Sequence, residues 1–223
     1  MTEETAPFLE NGEYVDAAHP GVRAFAERAG ANASGEADRA IALYHAVRDG
    51  IRYDPYIDYN DPESYRASGV LAAGRGFCIG KSTLLAACCR AVGIPARLGF
   101  ADVRNHVTSP RLHALVQTDV FVWHCFTDIR IDGTWVKATP AFDVAVCERA
   151  GLPPLEFDGR SDSLFQACDR EGRRRMEYLH HRGTFADVPH DQIVDDFRAR
   201  YPAMMAADRI AAGNFQAEAV APK

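Results

Sequence analysis

The sequence predicts an α+β fold, helices first and an antiparallel sheet after them, and three observations carry that expectation. Apolar residues recur at helical spacing as far as Val92, and beyond it the period shortens to two. The strand-like runs meet across Asp132-Gly133, the chemistry of a tight hairpin, with no helix between them. The 223 residues, 47% hydrophobic and 25% charged, suffice for one substantial core. No repeat, low-complexity tract or Gly/Ser/Pro-rich linker divides the chain, so one domain is expected.

Residues 1–17 read as a loose arm. HPGVRAFAERAG (19–30) is punctuated as a helix by Pro20 and Gly30. GEADRAIALYHAVRDGI (35–51) places Ala40, Leu43, Tyr44 and Val47 at helical spacing and stops near Gly50. From Cys78 to Val92 the pattern is a helix with Leu84, Cys88 and Ala91 in one row and Leu85, Cys89 and Val92 in the next. Gly93 and Pro95 end it, and Lys81-Ser82-Thr83 are expected on its exposed polar face. Strands follow at 96–105, 119–131 and 134–139. The last third reads as loop over 156–165 and a helix over 191–210.

The net charge of −6 argues against a nucleic acid or an anionic membrane as partner. The acidic start MTEETAPFLENGEY has no basic segment followed by an apolar one, so no secretory signal is expected. No apolar run approaches the roughly 18 residues of a membrane span. The cysteines at 78, 88, 89, 125, 147 and 168 include no CxxC pair, which suits buried thiols in a reducing cytoplasm.

Two chemistries compete for GRGFCIGKSTLL (74–85). Gly80-Lys81-Ser82 matches the end of a phosphate-binding loop, but the leading glycine should stand where Arg75 does. Phe77, Cys78 and Ile79 also put three sizeable side chains where backbone N–H groups must converge on phosphate. The alternative is a nucleophile. Cys78 falls at the start of the helix, where the dipole and free N–H groups stabilise a thiolate and an oxyanion. Gly74 and Gly76 leave room for a substrate backbone. His124, inside the alternating run DVFVWHCFTDIRI, is the best-placed base of the eight histidines. With Asp132-Gly133 as a two-residue turn, Ile131 opposes Thr134, Asp128 opposes Lys137, and Thr139 becomes the diagonal neighbour of His124. Asp143 is the other diagonal neighbour if the strand runs regularly past Pro140.

These segments resemble a known family. GRGFCIGKSTLLAACCRAVGIPARLGF is similar to the nucleophile segment of the transglutaminase-like superfamily, and HCFTDIRIDGTWVKATP to its second box. IRYDPY (51–56) resembles the segment ahead of the cysteine box, and the likeness spans roughly 35–145. It implies a papain-like α+β core over 18–145, the nucleophile helix packed on an antiparallel sheet. The remaining 146–223 resembles the C-terminal extension of a bacterial subgroup and is expected to pack on that core. Carried over, Cys78 is the nucleophile and His124 the base.

The sequence departs from the family where Thr139 replaces an aspartate, leaving three alternatives. Asp143 supplies the charge from a shifted strand end, which the reading favours; a dyad acts alone; or catalysis has been lost. Tyr53 and Gly76 are candidates beside the oxyanion and substrate. The expected activity is acyl transfer on a carboxamide or peptide bond through a thioester, with hydrolysis favoured over protein cross-linking and no metal or cofactor required. The expected partner is a peptide, protein or small amide. The rival is a non-catalytic protein- or peptide-binding module on the same fold.

Overall fold

The structure is a computed structural model that describes residues 3–165, 176–206 and 213–219. Helices α1 (Pro20–Ala29) and α2 (Glu36–Gly50) form where the punctuation placed them. A two-residue strand β1 (Arg52–Tyr53), helix α3 (Ala67–Ala73) and strand β2 (Arg75–Gly76) lead into α4 (Cys78–Ala91). Parallel pairing of β1 with β2 fixes the chain immediately before Cys78. Then come β3 (Ala96–Asn105), α5 (Pro110–Val116), β4 (Val120–Ile131), β5 (Thr134–Ala138) and α6 (Val144–Arg149). The chain closes with β6 (Met176–Phe185), α7 (His190–Arg200), α8 (Pro202–Met205) and α9 (Phe215–Glu218).

The larger sheet is antiparallel, in the order β5-β4-β3-β6. The hairpin register is the one the Asp-Gly turn specified: Ile131 opposes Thr134, and Asp128 opposes Lys137. Helix α4 lies between this sheet and helices α1, α2 and α3. It ends in a Schellman motif, Ile94 N–H reaching the Cys89 carbonyl and Gly93 N–H the Arg90 carbonyl, with Gly93 at φ 83°.

Four expectations change. Helix α4 has no exposed polar face: Lys81, Ser82 and Thr83 are fully buried. Lys81 Nζ donates to the carbonyls of Arg48 (2.8 Å) and Ile51 (2.6 Å), satisfying the end of α2, and so is not free to meet a phosphate. Ser82 Oγ donates to the Cys125 carbonyl on β4, and Thr127 Oγ1 returns a bond to the Ser82 carbonyl. The helix expected over 191–210 breaks at Tyr201-Pro202, since proline cannot donate to the preceding turn. Its expected last residues lie outside the described ones, as does Cys168.

The third change is at the N-terminus. Tyr14, Val15 and Ala17 belong to the core rather than to a loose arm. The Asp187 carboxylate accepts the N–H groups of Glu13 (2.6 Å), Tyr14 and Val15 (2.9 Å), replacing the water those amides would otherwise need. Last, β6 forms in a stretch of the extension for which the sequence predicted no element.

Candidate active site

Cys78 is the first residue of α4, after the extended Phe77, whose side chain makes no cap bond. The first intrahelical bond runs from Lys81 N–H to the Phe77 carbonyl, so the N–H groups of Cys78, Ile79 and Gly80 have no acceptor within the helix. His124 projects from β4, and both residues line one cavity of about 60 Å³. Tyr53, another sequence candidate, lines it as well. Gly76 does not; it borders a separate groove beside Val70 and Arg75.

A bulge aims His124. Ala101 pairs with His124 and Val103 with Phe121, so Val122 and Trp123 together face Asp102. Trp123 takes φ 61°, a conformation disfavoured for a bulky side chain. It is held there from both ends: its N–H donates to Asp102 Oδ1 (3.2 Å) and its Nε1–H to Asp196 Oδ2 (2.8 Å). The Arg182 guanidinium lies over the indole, 4.5 Å from its centroid, and bridges both carboxylates. Arg182 is itself the extra residue of a second bulge, where β6 passes Ala101.

The site is electrically quiet. Burial pushes the Cys78 thiol up to about 11, although the N–H groups of Cys125, Ile79 and Cys78 favour its thiolate. Burial alone pushes His124 down to about 4. Both groups therefore favour their neutral forms, a thiol and an imidazole, rather than the depressed thiolate that a helix N-terminus alone suggests.

The two candidates for orienting His124 fall in different places. Asp143 caps α6: Oδ1 accepts Val146 N–H (2.9 Å), Oδ2 accepts Tyr53 N–H (2.7 Å), and Gln216 Nε2 reaches both oxygens at 3.1 Å. No hydrogen bond joins Asp143 to His124 among the described residues. Strand β5 stops at Ala138, and Pro140 leads the chain away from regular pairing.

Thr139 is buried at the strand end. Its Oγ1, the His124 Nε2 and the Tyr178 hydroxyl are all buried, and none makes a well-formed hydrogen bond among the described residues. The Tyr178 ring packs edge-on to the imidazole at 6.0 Å, and its hydroxyl faces that of Thr139. Three orphan polar atoms grouped in a core are costly unless they serve something. Tyr178 escaped the sequence reading because β6 was not expected; its one signal was the short aromatic run EYLHHR.

Comparison with known proteins gives the family and the fold. The model of the transglutaminase-like superfamily matches residues 23–140, just over half of the chain. The chain belongs to the transglutaminase-like superfamily. Among solved structures it is similar to a candidate cysteine protease from Cytophaga hutchinsonii, at 16% identity and a TM-score of 0.55. That match covers 86% of this chain and 50% of the other, so the chain spans half the length of that relative. A TGase crystal structure is similar at 18% identity and a TM-score of 0.41, over 65% of this chain and 35% of its own. No curated protein matches the chain. The fold is thus the α+β, papain-like arrangement of this superfamily, and no described helix is long and apolar enough to cross a membrane.

Proposed function

We propose that this protein is a cysteine-dependent acyl-transfer enzyme that hydrolyses an amide or peptide bond. The observation that carries the reading is the opening of Cys78 and His124 into one cavity, at a helix start whose first three N–H groups have no acceptor within the helix. A substrate carbonyl seated there meets Sγ. As sulfur attacks, His124 takes the thiol proton, and the oxyanion is held by first-turn N–H groups, with Tyr53 alongside. The imidazolium then protonates the leaving amine as the C–N bond breaks, leaving a thioester on Cys78. Water, deprotonated by His124, attacks the thioester; the C–S bond breaks, the acid leaves, and the imidazolium returns the proton to Sγ.

In this reading the Thr139 and Tyr178 hydroxyls, rather than Asp143, take the Nε2–H of the imidazolium. Asp143 and Gly76 serve the scaffold. Hydrogen bonds from neutral hydroxyls stabilise that cation less than a carboxylate does, which fits a site that rests uncharged.

Incubation with a peptide-amide library, with an amine acceptor such as monodansylcadaverine present, tests the proposal. Amide hydrolysis by the native protein, lost in both Cys78→Ala and His124→Ala, is expected. Hydrolysis that persists in Cys78→Ala overturns the mechanism, and incorporation of the amine in place of hydrolysis overturns the choice of acceptor. The second reading, a binding module on this fold, is favoured by the lack of an anionic partner for His124 among the described residues. Retained peptide binding with no turnover by the native protein is its signature.

A further inference from the structure

The cavity that adjoins the thiol has a chemical character of its own. Its wall comes from α5 (Leu112, Val116), β4 (Phe121) and the C-terminal helices (Phe197, Met204). Among the described residues lining it there is no aspartate, glutamate, lysine or arginine. Its polar groups are largely committed elsewhere. The Tyr59 hydroxyl donates to the Pro55 carbonyl (2.7 Å), and the Tyr201 hydroxyl joins Val120 and Val122 backbone groups at 2.9 and 2.7 Å. The Asn105 amide oxygen accepts Val107 N–H (2.9 Å).

Resting on the acyl-transfer reading above, we propose that this cavity is the acyl pocket and that it selects a short, uncharged aliphatic acyl group. Charge is disfavoured because, His124 apart, no described residue of the wall carries a charge to pair with it, and an unpaired ion in such a setting loses its hydration without return. Size follows from volume. An apolar cavity of about 150 Å³ accommodates a benzene ring, so the present space of about 60 Å³ admits roughly two or three carbon atoms. A propanoyl or isobutanoyl group, or a residue with a small aliphatic side chain, fits; a benzoyl group or a long acidic chain does not.

The experiment gives the whole protein the 4-nitrophenyl esters of propanoic, isobutanoic, hexanoic, benzoic and succinic acids. Nitrophenolate release and the intact mass of the acid-quenched protein are read together. In each turnover Sγ bonds to the acyl carbon as the ester C–O bond breaks, nitrophenolate leaves, and the thiol proton passes through His124 to solvent. The kcat/KM for the propanoyl and isobutanoyl esters is expected to exceed that for benzoyl by about tenfold or more. The succinyl ester is expected to trail by about a hundredfold. Met204→Ala, which enlarges the pocket, is expected to raise the hexanoyl-to-propanoyl ratio about tenfold, with Leu112→Ala as the parallel variant should the first not fold.

A succinyl or benzoyl ester as good as isobutanoyl overturns the acyl assignment, as does an unchanged ratio in folded variants of both wall positions. Nitrophenolate release from every ester no faster than in Cys78→Ala, or an equal adduct in Cys78→Ala, overturns the acyl-transfer reading itself.

Discussion

Burial sets the charge state of Cys78 and His124. Neither touches an opposite charge among the described residues, so desolvation acts on both and favours the neutral form of each. Alkylation of Cys78 by iodoacetamide is therefore expected to climb through neutral pH toward about 11 with no acidic plateau. A plateau below pH 7 would show a thiolate–imidazolium pair instead. The same burial ties stability to pH. The folded-state value for His124, about 4, lies below the ordinary 6.5, so between these pH values the unfolded chain binds more protons. Stability is thus lost as pH falls from 6.5 toward 4, by about 3 kcal/mol if His124 acts alone. Urea titrations at pH 7 and pH 4.5 are expected to show this loss, and His124→Gln is expected to lack it. At Tyr178, replacement by Phe removes only the hydroxyl that the imidazolium is proposed to need. A fall in kcat of about tenfold with KM nearly unchanged is expected; an equal change in KM would assign Tyr178 to substrate binding.

At the scale of elements, β4 does more than carry His124. The bulge at Val122-Trp123 shifts the register between Ala101 and Val103, which decides the face on which the imidazole emerges. Asp102, Arg182 and Asp196 hold the indole in its left-handed backbone conformation. Asp102→Ala removes the acceptor of the Trp123 N–H and one end of the Arg182 bridge. A loss of about 2–3 kcal/mol is expected, a fall in Tm of roughly 5–10 °C. Because the bulge steers His124, kcat is expected to fall while KM holds. A cooler melt with intact kcat would restrict the clamp to stability.

This element also marks where sequence reading stopped. The hairpin register was legible because turn chemistry and two-residue alternation are local, and the start and end of α4 were legible from its glycines. The bulge was not, since it exists only in the pairing of Asp102 with two residues of another strand. Lys81 misled for the same reason: a lysine at helical spacing reads as exposed unless the carbonyls that receive it, at Arg48 and Ile51, are known to be near. The orienting group for His124 was read from the regular continuation of β5, and the strand ends one residue before Thr139.

At the scale of the whole molecule, segments distant in sequence close on the same core. The C-terminal helices supply Phe197, Tyr201 and Met204 to the cavity wall, so the extension is part of the pocket. Polar contacts at one corner help to fasten the N-terminal segment, beside the packing of Phe8 on Trp135 and the burial of Tyr14 and Val15. Asp187 accepts three consecutive N–H groups from residues 13–15, and it also accepts the N–H of Val188 (2.9 Å). Close by, Arg90 on α4 reaches the carbonyls of Glu10, Ala96 and Ala186. Most of the backbone atoms these groups answer lie outside strands and helices, so there side-chain hydrogen bonds replace secondary structure. Asp187→Ala leaves the three amides unanswered while Tyr14 and Val15 still favour the core. The expected result is partial detachment, with about 2–4 kcal/mol lost and the first seventeen residues cut early in limited proteolysis. Cys78 and His124 lie on α4 and β4, which Asp187 does not hold, so turnover by the surviving folded protein is expected to persist. Intact-mass analysis of the digest separates the outcomes: early loss of the N-terminal segment supports the clamp, and an unchanged pattern in a destabilised variant would mean that the apolar contacts alone retain the arm.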